Sequence, residues 1–310
     1  MARELLLMSG NAHPELAESV ANELGIGMVD ATVDQFPDGE TRVRIADNVR
    51  EQDVFVLQPT GPPSNHNIME SLIIIDALER ASAGRITAVT PYYGYARQDR
   101  KDASRVPISA KLVANMFAAA GTNRLLAVDL HSAQLQGFSD LPFDHLYAVN
   151  TLAAAIKDDV DKPVVVAPDV GAGKMARGYA RRLGTDWAIV DKDRVDGKTT
   201  HVAAIIGHSI VGRDALIVDD MVTTAGSLLK AAEALKEQGA ETVMAAATHG
   251  VLCGDALGRI AASPYLDHLY VTDTLPAHGA NDKISRVTIA PLLAQAISNI
   301  HRGESVSELF

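Results

Sequence analysis

Short apolar runs alternate with longer amphipathic stretches along almost the whole chain. The runs "ELLLMSG", "DVFVLQP", "RITAVTPY", "RLLAVDL", "PVVVAPD", "DWAIVDK", "HVAAIIG", "DALIVDD", "TVMAAATHG" and "HLYVTDT" predict strands. Several are near-continuous Val, Ile, Leu and Ala rather than alternating, the pattern of parallel strands covered on both faces. Between them "HPELAESVANELG", "HNIMESLIIIDALERASAG", "PISAKLVANMFAAAG", "MARGYARRLG" and "LLKAAEALKEQGA" predict helices. All five end at or beside a glycine, which readily takes the left-handed turn that stops a helix. Alternating strand and helix predicts α/β architecture with mainly parallel sheets.

The series runs twice. One set of strands ends near Leu130 and a second begins near Val164. The intervening "SDLPFDHLYAVNTLAAAIKDDVDKP" has the turn residues and acidic run of a junction. The expected division is therefore 1–147 and 148–310. The tail "PLLAQAISNIHRGESVSELF" reads as a helix with a short extension, free to pack back on the first domain.

At 310 residues the chain has room for two such domains, and its composition, 47% hydrophobic and 22% charged, is that of a soluble globular protein. The balance of 28 basic and 39 acidic residues, net −11, argues against nucleic acid, whose phosphates need a basic partner. A small polyanion remains compatible if cations are concentrated locally. The single cysteine, Cys253, excludes an internal disulfide, and its apolar neighbours in "HGVLCGDAL" predict a core thiol. No apolar run reaches the eighteen or so residues of a membrane span, so the expected setting is cytoplasmic.

Two motifs are set aside. "VVVAPDVGAGKMARG" contains a G-x-G-x-x-A from Gly171 to Ala176, which is close to a dinucleotide-binding fingerprint. Asp169 stands where the pyrophosphate would approach, and the unit lies mid-chain rather than first in a domain. Lys174 and Lys198 each follow a glycine, but Pro168 and Lys192 occupy the place of the first P-loop glycine.

The stretch "ALIVDDMVTTAGSLLKAAEAL" is more informative. A buried strand finishes on Asp219 and Asp220, whose charges repel unless a cation or hydrogen-bond donors satisfy them. A sugar diol supplies such donors. Thr223, Thr224, Ala225, Gly226 and Ser227 then open a helix whose small residues and backbone N–H groups suit an anion. A diol on the carboxylates and a phosphate in the loop describe ribose 5-phosphate. The alternative is an acidic strand end with an ordinary Thr/Ser cap.

"IVDDMVTTAGS" resembles the phosphoribosyl-binding motif of type I phosphoribosyltransferase-fold proteins. "FPDGE" (36–40), "PYYGYARQDRK" (91–101), "RVPISAKLVANM" (105–116), "DLHSAQLQGF" (129–138) and "GESVSELF" (303–310) resemble, in order, the ribose-phosphate pyrophosphokinase family. The resemblance implies two tandem phosphoribosyltransferase-like domains, an ATP side and a ribose 5-phosphate side. It implies transfer of a diphosphoryl group from ATP to the anomeric hydroxyl of ribose 5-phosphate, with Mg2+. By the same resemblance Arg97, Gln98, Lys101 and His131 contact ATP, and His131 and Asp169 serve the metal. Lys192 and Arg194 belong to a catalytic loop in the polar stretch "DKDRVDGKTTH", where Gly197 suits a lid. Phe36, Asp38 and Glu40 complete the nucleotide site of a neighbouring subunit, so a homo-oligomer is implied, a hexamer built from dimers. The chain departs from the family pattern in having Thr223 where Asp is common, and Ala172 and Met175 where Gly and Arg are common.

Overall fold

The computed structural model describes residues 3–161, 163–194, 200–277 and 279–309, leaving aside the side chains at 191–194 and 200–204. In chain order the elements begin with β1 (Leu5–Ser9), α1 (Pro14–Leu24), β2 (Ala31–Gln35), β3 (Thr41–Ile45), β4 (Asp53–Leu57) and α2 (Ser64–Arg80). They continue with β5 (Arg85–Thr90), α3 (Ser109–Ala119), β6 (Arg124–Val128), β7 (Phe143–Leu146), α4 (Val149–Ile156), β8 (Val164–Ala167), α5 (Gly173–Leu183) and β9 (Trp187–Arg194). The last are β10 (Thr200–Gly207), β11 (Ala215–Val222), α6 (Gly226–Glu237), β12 (Val243–Gly250), α7 (Ala256–Ala262), β13 (His268–Thr272), β14 (Ile284–Val287) and α8 (Ala290–Arg302). None of the helices among the described residues is long and apolar enough to cross a membrane.

The chain forms two compact units. The first comprises Met1–Tyr147, Thr274–Pro276 and Ile289–Phe310. Its five-stranded sheet runs β1-β4-β5-β6-β7, parallel throughout. Every residue of β4 is buried. Successive side chains of a strand point to opposite faces, so a fully buried strand needs cover on both. Val54 and Val56 join Ile74 and Leu78 of α2 and Val113 and Phe117 of α3 in one apolar cluster. Leu16 and Val20 of α1 and Leu293 and Ile297 of α8 are buried as well, and the two helices pack together. Phe55 and Leu57 thus read as near-continuous apolar sequence because neither face of β4 meets water.

The second unit comprises Ala148–Asp273 and Ala277–Thr288. Its seven-stranded sheet runs β10-β9-β8-β11-β12-β13-β14, with every pair parallel except β10 on β9. Leu228, Ala231, Ala232 and Leu235 of α6 pack with Val166, Ile217 and Ala245 in its core. Small alanines on that helix stripe let it lie close to the strands.

Pattern reading found ten strands and missed four. The β2–β3 hairpin escaped because its half-exposed residues show no apolar run. The presumed junction contains β7 and α4, whose Leu152, Ala153 and Ile156 are buried. The stretch expected as a polar lid begins and ends in strand, with Lys192 paired to Val202 and Arg194 to Thr200 across an antiparallel ladder. Helix α2 stops with Ser82, not glycine, in the left-handed region at φ 63°. Cys253, expected in the core, is exposed.

A charged cluster ties α8 to the first sheet. Asp53, 1% exposed, accepts from Arg85 Nε at 2.7 Å and is contacted by Arg85 Nη2 and by His301 Nδ1 at 2.8 Å. The same guanidinium donates to the Ile300 carbonyl at 3.0 Å. Arg85→Met leaves a buried carboxylate without its main counter-charge and should cost about 3 kcal/mol, read from urea unfolding. A loss under about 0.5 kcal/mol would equate the pair with a surface bridge.

Candidate active site

In the second unit the chain goes from β8 outward to β9 and then returns to β11 on the other side of β8. Open α/β sheets bind ligands in the crevice outside the carboxyl ends of the strands at such a reversal. Asp169 follows the end of β8, and Asp219 and Asp220 lie towards the end of β11. Ala215 to Val218 are buried and the two carboxylates half-buried. The Asp219 carboxyl is pushed up to about 7, first by burial, then by the negative charge and hydrogen bonding of Asp220, and more weakly by Asp169. Asp220 N–H donates to Asp219 Oδ1 at 2.9 Å, which only partly offsets this. The strand end therefore favours a ligand that brings positive charge or hydroxyl donors.

The next turn is built to receive negative charge. Ala225 takes a left-handed conformation at φ 59°, a strain of about 1–2 kcal/mol for a residue with a Cβ. No side chain caps the helix that starts at Gly226, and the first amide it engages is that of Leu229, on the Ala225 carbonyl. The first N–H groups of a helix lack intrahelical acceptors, and the dipole adds positive potential there. Thr223 and Ser227 add hydroxyls on either side. Acidic strand end and anion-ready turn are thus successive in one segment.

Asp169 also explains why the glycine pattern at 171–176 is no dinucleotide site. Its Oδ1 accepts from Ala172 N–H at 3.2 Å, capping the short 3-10 turn that precedes α5. A carboxylate already holds the place of a pyrophosphate.

In the first unit, Arg97, Gln98 and Lys101 follow β5, and His131 follows the adjacent β6. All four are exposed. The side chains of Arg97, Arg100, Lys101 and Arg105 make no ion pair among the described residues, so four cations face solvent in an acidic protein. Gln98 is less free: its side chain accepts from the Ser109 hydroxyl, and its carbonyl accepts from Ala110 N–H at 3.2 Å. It anchors the basic loop to the start of α3.

Phe36, Asp38 and Glu40 occupy the tip of the β2–β3 hairpin. Phe36 N–H donates to the Glu40 carbonyl at 2.8 Å, and Gly39, at φ 92°, donates back to the Phe36 carbonyl at 2.9 Å. The turn requires glycine there. Phe36 is 44% exposed, with the Arg42 guanidinium 5.3 Å from its ring centre. Arg42 is itself held to Asp34 across the hairpin at 2.8 Å. A buried network that pattern reading missed braces this hairpin. Glu70 of α2, 1% exposed, accepts from Asn11 N–H at 2.7 Å, the Asn11 amide at 2.9 Å and the Gln58 amide at 2.7 Å. The same Asn11 amide donates to the Val33 carbonyl of β2 at 3.0 Å. A glutamate on the buried stripe of "NIMESLIII" was the available signal.

The family model for the N-terminal domain of ribose phosphate pyrophosphokinase matches residues 5–121, and that for the phosphoribosyl synthetase-associated domain matches residues 195–310. A ribose-phosphate pyrophosphokinase from Neisseria meningitidis serogroup A is 52% identical, over 99% of this chain and 94% of its own. The chain belongs to the ribose-phosphate pyrophosphokinase family. Another member, from Rhodopirellula baltica, is 49% identical over 99% of both chains. A crystal structure of phosphoribosylpyrophosphate synthetase from Mycobacterium smegmatis superposes with a TM-score of 0.90 at 41% identity, covering 97% of this chain and 100% of that one. The two-sheet α/β architecture expected from the pattern is that of the family.

Lys192 and Arg194 lie in β9 by backbone, and their side chains fall outside the described residues, as does Gly197, expected in a lid. Among the described residues no three His, Cys, Asp or Glu side chains cluster as a metal cage. Asp169, Asp219 and Asp220 are all oxygen donors, and the raised Asp219 proton affinity marks a deficit of positive charge. That chemistry fits Mg2+, which keeps several waters and takes only one or two carboxylates. His131 stands in the first unit and Asp169 in the second.

The Asp219 carboxyl binds its proton more tightly in the folded chain than in the unfolded one, where the value is near 4. Its stabilising contribution is full below about pH 4 and is lost as pH rises through about 7. Thermal melts of the ligand-free protein should therefore decline across that window more in wild type than in Asp219→Asn. Parallel pH profiles would remove the cause assigned here.

Proposed function

We propose that the protein is a ribose-phosphate diphosphokinase, which transfers the β,γ-diphosphoryl group of ATP to the anomeric hydroxyl of ribose 5-phosphate. The products are 5-phosphoribosyl 1-pyrophosphate, a nucleotide precursor, and AMP. The observation that carries the reading is the β11–α6 segment, paired carboxylates followed by an uncapped helix start, in a chain about half identical to named members of the family along its full length.

In this reading Asp219 and Asp220 accept hydrogen bonds from the ribose hydroxyls, while the turn from Thr223 to Ser227 receives the 5-phosphate through backbone N–H groups and hydroxyls. The anomeric hydroxyl oxygen attacks the β-phosphorus, the bond to the bridging α–β oxygen breaks, AMP leaves with that electron pair, and the hydroxyl proton is released. Such chemistry needs positioning and charge neutralisation more than a covalent intermediate. Arg97, Gln98, Lys101 and His131 hold the nucleotide phosphates, with Phe36 offering an apolar face to adenine and Asp38 and Glu40 accepting from its edge. Lys192 and Arg194 stabilise the charge that redistributes over the β-phosphate, an interaction strongest in the transition state. Mg2+, when bound, screens the triphosphate and withdraws electron density from it; Asp169 and His131 are the side chains that would hold it. Thr223 in place of the common Asp removes one acid from the loop and takes away no donor. Phe36, Asp38 and Glu40 at an exposed hairpin tip suit a site shared with a neighbouring subunit, hence a homo-oligomer, which the family resemblance makes a hexamer built from dimers. This reading places the reaction in the cytoplasm.

Purified protein with Mg2+, ATP and ribose 5-phosphate should release AMP, and no AMP without the sugar phosphate; failure to do so would sink the assignment. Lys192→Ala should lower kcat by about 100-fold or more with little change in either Michaelis constant. Asp220→Asn should chiefly raise the Michaelis constant for ribose 5-phosphate. A rise confined to ATP would place the diol elsewhere.

A further inference from the structure

Three consecutive carbonyls of the β11–α6 turn are held by one neighbouring segment. Leu252 N–H donates to the Val222 carbonyl at 3.0 Å, and Cys253 N–H to the Thr223 carbonyl at 3.0 Å. Arg259 Nη1 donates to the Thr224 carbonyl at 2.9 Å. The C=O and N–H of one trans peptide point in opposite directions. Turning these carbonyls towards residues 252–259 therefore turns the N–H groups of Thr223, Thr224 and Ala225 the other way. The acceptors of the turn lie on one side and its donors on the other, which is the polarity an anion requires.

Of the three holding bonds, two are backbone contacts and would survive most substitutions. The third depends on a single side chain and acts on the peptide just before Ala225, whose left-handed conformation has to be sustained from outside. The guanidinium also spans the start of α6. A Cβ built on Gly226 would meet Arg259 Nη2 at 3.4 Å and Nη1 at 3.6 Å. These are ordinary contact distances, so the guanidinium lies directly against the start of the helix. Arg259 thus brings a positive charge to the turn that follows Asp219 and Asp220.

We infer that Arg259 is a positioning residue for the sugar-phosphate subsite. It orients the Thr224–Ala225 peptide so that its N–H faces the anion. The inference rests on the assignment of that turn to the 5-phosphate. The effect is selective for ribose 5-phosphate, because the guanidinium bonds the turn assigned to the 5-phosphate.

Steady-state kinetics of the full-length enzyme test this. Arg259→Ala should raise the Michaelis constant for ribose 5-phosphate about tenfold, with kcat and the Michaelis constant for ATP within about threefold of wild type, an effect of about 1.4 kcal/mol. Arg259→Lys, which keeps a charged donor, should recover part of the loss. If Arg259→Ala fails to fold, Arg259→Lys is read alone, and an unchanged constant for ribose 5-phosphate would overturn the inference. Equal losses for both substrates, or a lowered melting temperature with unchanged constants, would also overturn it by reducing Arg259 to a structural contact. Asp220→Asn serves as the reference. If it raises the ribose 5-phosphate constant and Arg259→Ala does not, the inference fails and the site stands; if neither does, the site assignment itself falls.

Discussion

A carboxyl that burial drives towards neutrality, Asp219 beside Asp220, set a few residues before a helix start that lacks a side-chain cap, creates the central constraint in this protein. Neither half is comfortable by itself. Asp219 at the end of β11 lacks positive charge, and the first amides of α6 lack acceptors. A ligand with hydroxyls at one end and a phosphate at the other resolves both deficits at once. The remaining architecture of the second unit keeps that arrangement in place. β11 is paired on both sides by β8 and β12, so the strand cannot slide without breaking two ladders. Alanines on the buried face of α6 hold the helix close against the sheet.

The first unit handles charge differently. Its basic loop is exposed, and its cations are not paired internally among the described residues, whereas its buried charges are fully engaged. Asp53 meets Arg85 and His301, and Glu70 meets the amides of Asn11 and Gln58. The contrast follows from solvation. A buried carboxylate must be matched within the fold, while a cation in water can wait for a polyanion. The Glu70 network does more than satisfy one group, because Asn11 passes the restraint on to β2 and hence to the hairpin that presents Phe36.

Family membership adds a reaction to this geometry, and the geometry in turn separates parts of the site that the family motif treats as one. The turn from Thr223 to Ser227 is contiguous in sequence, yet its shape is set from residues 252–259. Gln98 lies among residues expected to meet nucleotide, and its side chain is engaged with Ser109. Cys253 sits in an apolar sequence and is nonetheless exposed, because its neighbours Val251 and Leu252 take the core positions.

Periodicity determined ten strands, the main helices and the α/β class, since each depends on local burial repeated along an element. It also located Asp219, Asp220 and the small-residue turn, because strand end, acidic pair and helix start are contiguous. Tertiary structure alone decided what depends on distant partners. The β2–β3 hairpin is half-exposed and leaves no apolar signature. The strand order that puts β8 beside β11, and so Asp169 near Asp219, is a property of connections and not of any segment. Arg259 reaches Thr224 across 35 residues of sequence, a separation at which only folding can say which side chain meets which carbonyl.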